Sequence, residues 1–127
     1  MIKGTGTILV IEDEEPVMKV SRIILEKMGY SVLEARTGQE AVDVVKTFDG
    51  HIDLALLDIL MPDMNGNDIY PLIMEARPDL KVIVFSGYSI DGPAREILNA
   101  GAEDFIQKPF KMADLSEKLK KILGDGQ

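Results

Sequence analysis

Ile52-Asp53-Leu54-Ala55-Leu56-Leu57-Asp58 is the stretch that decides the fold of this chain. A short, nearly continuous apolar run closed by an aspartate reads as a strand buried on both faces, the kind found in parallel sheets. An earlier run, Thr7-Ile8-Leu9-Val10-Ile11, ends the same way on Glu12 and Asp13. In parallel sheets the crevice at the carboxyl ends of the strands is where ligands bind. Glu12, Asp13 and Asp58 delivered to that crevice would repel one another. A bound hard cation such as Mg²⁺, which takes oxygen ligands, relieves that repulsion.

Outward from these two runs, strand and helix patterns alternate over the whole sequence. Strands are expected at residues 7–12, 31–35, 53–58, 81–86 and 103–107, each short and apolar with Gly, Pro or Asp nearby. The first helix opens near Pro16 and stops at Gly29, with Val17, Val20, Ile24 and Met28 as its apolar stripe. The second carries Ala41, Val44, Val45 and Phe48 at helical spacing. The third carries Ile69, Leu72, Ile73 and Ala76, with Pro71 in its first turns. The fourth starts near Pro93 and ends at Gly101, and the fifth runs from Met112 to Leu123 with Leu115, Leu119 and Ile122 facing inward. Five such repeats joined by right-handed crossovers predict an α/β fold, a doubly wound five-stranded parallel sheet between two layers of helices. The common order for such a sheet is 2-1-3-4-5, a flavodoxin-like three-layer sandwich in which strands 1 and 3 lie side by side.

Composition narrows the function classes. The 127 residues fit one domain, expected over 1–127 with its core at about 7–123, and 46% hydrophobic residues supply a core. Without cysteine there is neither a disulfide framework nor a thiolate metal site. No apolar segment reaches the roughly 18 residues of a membrane span, and the amino terminus lacks a signal-peptide pattern, so a cytoplasmic protein without membrane insertion is expected. A net charge of −8 argues against direct nucleic-acid binding, which draws on Lys and Arg.

Two further strand ends enter the same crevice: Val82-Ile83-Val84-Phe85 runs into Ser86, and Asp104-Phe105-Ile106-Gln107 runs into Lys108-Pro109. A carboxylate nucleophile, a metal, a hydroxyl donor and an ammonium make up a set suited to phosphoryl transfer onto Asp58. The transferred group spreads charge over three oxygens, and catalysis is mostly positioning and charge stabilisation. An aspartyl phosphate is a recognised covalent intermediate.

At these blocks the sequence resembles the receiver domain of two-component response regulators. The blocks are Ile8-Leu9-Val10-Ile11-Glu12-Asp13-Glu14, the run from Leu56 through Asp58 to Met61-Pro62-Asp63-Met64-Asn65-Gly66, Phe85-Ser86-Gly87-Tyr88, and Gly101 through Lys108-Pro109-Phe110. The resemblance implies a phosphoacceptor signalling switch, not an enzyme acting on other molecules. Asp58 would accept a phosphoryl group from a phosphohistidine, supplied by a histidine kinase or a histidine phosphotransfer domain. Asp13, Asp58 and the backbone carbonyl of Leu60 would ligate Mg²⁺, with Glu12 acting directly or through water. Lys108 would pair with phosphoryl oxygens, Ser86 would move to hydrogen-bond one of them, and Phe105 would stand at the switch aromatic. The change would be read by a downstream protein or output domain on the face made by the fourth helix, fifth strand and fifth helix. The Lys108-Pro109 bond would be cis. Three positions depart from the family pattern: Glu12 stands where a second Asp is frequent, Ser86 replaces the commoner Thr, and Phe105 lacks the hydroxyl of Tyr. Leu60 and Tyr88 occupy the positions that tune acyl-phosphate lifetime, and neither is a water-positioning acid or amide, which implies slow self-dephosphorylation. Gly4-Thr5-Gly6-Thr7 and Phe85-Ser86-Gly87-Tyr88 are similar to receivers attached to hybrid histidine kinases.

Other readings meet specific obstacles. A phosphatase with an aspartate nucleophile places an acid two residues further on, where this chain has Leu60. A nucleotide or flavin site needs a glycine-rich loop after the first strand, where Glu12-Asp13-Glu14-Glu15 would repel phosphate. A receiver-like module that binds partners without phosphorylation would not need Asp13, Asp58 and Lys108 intact. Glu14 and Glu15 read as a helix start, where acids complement the dipole. His51, the single histidine, sits in the turn before the third strand and reads as a surface residue, so the phosphoryl donor must be another protein or domain.

Overall fold

The structure is a computed structural model that describes residues 6–87, 92–108 and 111–124. Its elements are β1 (Thr7–Ile11), α1 (Glu15–Lys27), β2 (Ser31–Ala35), α2 (Gly38–Thr47), β3 (Leu54–Asp58), α3 (Gly66–Ala76), β4 (Lys81–Ser86), α4 (Pro93–Asn99), β5 (Asp104–Gln107) and α5 (Met112–Leu123). All strands pair in parallel in the order β2-β1-β3-β4-β5, as the alternating pattern predicts. Alternation along each strand sends successive residues to opposite faces. Ile8, Val10, Leu54, Leu56, Ile83 and Ile106 pack with Met18, Leu25, Leu115 and Leu119 of α1 and α5. Leu9, Ile11, Ala55, Leu57, Val82 and Val84 pack with apolar residues of α2, α3 and α4. Every residue of β3 is buried, which explains why its sequence shows no polar alternation.

The helices differ from expectation in the rotation of two apolar faces. In α1 the buried residues are Met18, Ser21 and Leu25, while Val20 is 52% exposed and Ile24 and Met28 flank the core. The Ser21 hydroxyl donates to the Val17 carbonyl at 2.8 Å. That internal bond lets a polar residue occupy a core position, and a hydropathy stripe passes over it. In α3 Ile69 and Ile73 face inward as expected, but Tyr70 is buried beside them and Leu72 points outward. Three strands are also one residue shorter than their apolar runs: Glu12, Asp53 and Glu103 lie outside the ladders.

α2 and α3 are joined at one end by a single side chain. Arg77, the residue that caps α3, donates from its guanidinium to the carbonyls of Val45 at 2.8 Å, Phe48 at 2.6 Å and Gly50 at 2.9 Å. Carbonyls at a helix carboxyl end have no intrahelical donor and carry partial negative charge, so a planar cation with five N–H groups suits them.

Candidate functional site

The crevice forms where the connections from β1 and β3 leave in opposite directions. Asp58 is the last residue of β3, and Glu12 follows β1 directly, its N–H held by the Ala35 carbonyl at 2.9 Å. Glu12 and Asp58 are buried and Asp13 is exposed, and carboxylate oxygens of the three lie within 4.8 Å of one another. Lys108, just past β5, reaches into this group with its Nζ 2.9 Å from Asp58 Oδ2 and 2.6 Å from Glu12 Oε1. The contact to Asp58 is an aligned hydrogen bond, whereas that to Glu12 is ionic and off the hydrogen-bonding direction, leaving Glu12 Oε1 without a directed donor. Glu14 Oε1 stands 3.6 Å from the same ammonium. An open cleft of about 510 Å³ is lined by Asp13, Glu14, Asp58, Leu60, Gly87 and Lys108.

The electrostatics follow from this packing. Burial pushes the Glu12 carboxyl up to about 7, opposed by Lys108 and by the Glu14 N–H at 3.0 Å, and aided by the neighbouring Asp58 charge. Burial acts to lower Lys108, but the hydrogen bond to Asp58 and the contact with Glu12 outweigh it, so its ammonium is held above the ordinary lysine value. One ammonium cannot neutralise three carboxylates. An all-oxygen set of three carboxylates that shares one ammonium fits a hard divalent cation such as Mg²⁺.

The loop between β3 and α3 is fixed at several points. The Leu60 N–H donates to Asp58 Oδ1 at 3.1 Å, and Leu60 forms an antiparallel bridge with Asn65. The Gly66 N–H meets the Ile59 carbonyl at 2.8 Å, and a Cβ on Gly66 would come 2.7 Å from the Ile59 Cα, so the close crossing requires glycine there. Asp63 reaches out of this loop to the amino end of α2, accepting from the Gly38 N–H at 2.7 Å and the Gln39 N–H at 3.0 Å. These N–H bonds hold its carboxyl below the usual range. The sequence reading assigned Asp63 no task of its own, because α2 already has its local cap in Thr37, which accepts from Glu40. Only the tertiary fold puts the end of α2 beside residue 63.

The other expected site residues lie around this centre. Ser86 is buried at the end of β4, its carbonyl accepting from the Lys108 N–H at 2.7 Å, and Gly87 lines the cleft beside it. Phe105 is half-buried and packs against the apolar cluster of α2, α3 and α4 rather than lining the acidic cleft. Glu14 stands at the N-cap position of α1, without a side-chain capping bond, and Glu15 lies in its first turn, as their helix-start reading has it. His51 is an exposed residue 3.4 Å from Asp53. Tyr88 and Pro109, and with Pro109 the expected cis bond, fall outside the described residues.

Comparison with known proteins places this geometry. The family description "response regulator receiver domain" matches residues 8–120. The chain belongs to the response regulator receiver domain family. Among relatives of this receiver domain is the chemotaxis protein CheY of Thermotoga maritima, 37% identical over 116 residues, covering 91% of this chain and 95% of that protein. Another is the sensor kinase CckA of Brucella abortus, 33% identical over 122 residues; the match takes in 96% of this chain but only 13% of that kinase. Among solved structures, the response regulator TrrA of Thermotoga maritima, in complex with Mg²⁺ and BeF, superposes with a TM-score of 0.79 at 32% identity, covering 92% of this chain and 98% of that one. The receiver domain of the sensor histidine kinase PA1611 of Pseudomonas aeruginosa, with magnesium coordinated in its active-site cleft, superposes at 0.84 with 26% identity, covering 95% and 99%. The CheY-type, flavodoxin-like fold and the receiver assignment are therefore shared, and receiver domains act as phospho-switches in two-component signalling. Among the described residues no helix is long and apolar enough to cross a membrane.

Proposed function

We propose that this receiver domain takes a phosphoryl group onto Asp58 from a phosphohistidine and passes the change to a partner through the face made by α4, β5 and α5. The observation that carries the reading is the bridge of Lys108 Nζ between Asp58 and Glu12 beside an exposed Asp13. An Asp58 carboxylate oxygen attacks phosphorus, the bond from phosphorus to the donor imidazole nitrogen breaks, and the electron pair leaves with that imidazole. The Leu60 N–H and Lys108 hold one carboxylate oxygen each, which orients Asp58 before the donor arrives. Lys108 then turns from Asp58 to an oxygen of the transferred group, and Ser86 supplies a hydroxyl to another. Glu12, Asp13, Asp58 and the Leu60 carbonyl would hold Mg²⁺, whose chemistry here is to neutralise charge on the transferring group. Phe105, packed among residues from the α2, α3 and α4 layer, carries the response outward as the Ser86 end of β4 shifts, as a change of population between two states.

The donor is a histidine kinase or histidine phosphotransfer domain, and the recipient is a downstream protein or an output domain, with no direct nucleic-acid contact. The match to a short part of CckA and the likeness to the PA1611 receiver fit a receiver of a hybrid kinase, the match to nearly the whole of CheY fits a stand-alone regulator, and in either setting residues 1–127 act as one receiver domain in the cytoplasm. Incubation with acetyl phosphate and Mg²⁺ tests the central claim by intact mass. One added phosphoryl group is expected on the unsubstituted chain and none on Asp58→Asn; undiminished labelling of that variant refutes the role of Asp58.

The lifetime of the acyl phosphate follows from the same cleft. Leu60, 46% exposed at its rim, offers an apolar side chain where an acid or amide would orient water. Self-dephosphorylation is therefore slow, and phosphorus NMR should follow the signal well beyond seconds. A half-life of seconds contradicts this.

A further inference from the structure

Phe85 precedes Ser86 at the end of β4 and pairs in register with Asp58. Residues in register on parallel neighbours present their side chains to the same face of the sheet, so the ring lies on the side of the sheet that carries Asp58. Phe85 is 1% exposed, and its ring centroid lies 4.8 Å from Lys108 Nζ, within the reach of a cation–π contact. The ammonium therefore rests among Asp58, Glu12 and an aromatic face. We propose that Phe85 is a positioning residue for phosphoryl transfer, its ring face keeping the Lys108 ammonium at the cleft as that ammonium moves from Asp58 to the transferred group.

The physical need is specific. Lys108 has two close carboxylate partners before the reaction, Asp58 and Glu12, with Glu14 farther off at 3.6 Å, and the Asp58 carboxylate loses its charge when it becomes an acyl phosphate. The ammonium must then follow negative charge outward without swinging into solvent. A further carboxylate at contact distance, or a carbonyl, in place of the ring would pin Nζ along one lone-pair direction. A ring face attracts a cation with little directional demand, so the attraction persists as Nζ slides by an ångström or so. Leu or Ile at this position would fill similar space but exert no such pull, and burial beside them would work against the charged form. The last apolar residue of β4 thus has a reason to be aromatic that core packing alone does not supply.

This inference rests on the phosphoacceptor reading of Asp58, and its test separates the two. Phe85 is replaced site-specifically by a series of progressively fluorinated phenylalanines, which keep size and apolarity nearly constant while draining charge from the ring face. For each protein the rate of acyl-phosphate formation from acetyl phosphate, the Mg²⁺ affinity and the melting temperature are measured. The rate is expected to fall stepwise with fluorination, by about tenfold across the series, with Phe85→Leu matching the most fluorinated member. Mg²⁺ affinity and melting temperature stay level through the fluorinated series. A flat rate series in a chain that still takes up phosphate overturns the inference alone. Failure of the unsubstituted chain to take up phosphate overturns the phosphoacceptor reading and this inference with it.

Discussion

Lys108→Met is expected to slow phosphoryl uptake by about 10²–10³-fold while tightening the binding of Mg²⁺. The two effects have opposite signs because the ammonium plays two parts. In the resting protein it is the counter-charge of Asp58 and Glu12, at 2.9 and 2.6 Å, and a divalent cation must compete with it for those oxygens. Methionine keeps most of the stem length and removes the charge, so the carboxylates depend on the metal alone. In the transfer step the same ammonium stabilises oxygens that gain charge, and nothing else among the described residues of the cleft carries a positive charge. Without metal, Lys108→Met also leaves Glu12 and Asp58 buried without their counter-charge, at a cost of about 3 kcal/mol. Added Mg²⁺ should return most of that stability by mass action. Titration calorimetry and metal-dependent melting read the first effect, and acetyl phosphate labelling reads the second. An Mg²⁺ affinity that falls with the substitution would show that Lys108 is not the resting counter-ion of the cluster.

Arg77→Ala is expected to destabilise the fold by about 3 kcal/mol, a large loss for a side chain that lies outside both the cleft and the apolar core. Three carbonyls at and beyond the end of α2 lose their shared donor at once. Two of those contacts are to half-buried atoms, where water replaces the lost bonds poorly. For a chain of this size the loss corresponds to a fall in melting temperature of about 10 °C. Arg77→Lys should recover only a minor part, because one ammonium cannot span the fork that reaches Val45, Phe48 and Gly50 together. Thermal and urea unfolding of the two variants decide the matter. Full recovery by lysine would mean that charge at the helix end, not the fork, is what matters. Neither variant should change Mg²⁺ binding, since Arg77 joins α2 and α3 near residues 45–50, away from the residues that line the acidic cleft.

The parallel sheet, its strand order and the convergence of Glu12, Asp13, Asp58 and Lys108 were legible because strand ends in such a fold share one crevice. Apolar runs closed by charged residues mark those ends directly, as Leu56-Leu57-Asp58 does. The rotation of α1 was not legible. Ser21 sits in the core by bonding to its own helix, so a polar letter conceals a buried position, and the hydropathy stripe through Val17, Val20 and Ile24 lies one residue off the buried face of Met18, Ser21 and Leu25. The tasks of Asp63, Arg77 and Phe85 were equally hidden. Each acts on a group more than 20 residues away on a separate element or loop, and no spacing rule along the chain records that meeting.

By itself the sequence determined what must be buried and which ionisable groups end the buried strands, because period and hydropathy act locally along the chain. The tertiary structure decided how those groups are held: which oxygen Lys108 takes, that Glu12 Oε1 is left without a directed donor, that Asp63 ties the β3–α3 loop to α2, and that a ring lies beside the ammonium. The reason is physical. Directed contacts between side chains depend on distances of a few tenths of an ångström across separate elements, and only the packed backbone sets them.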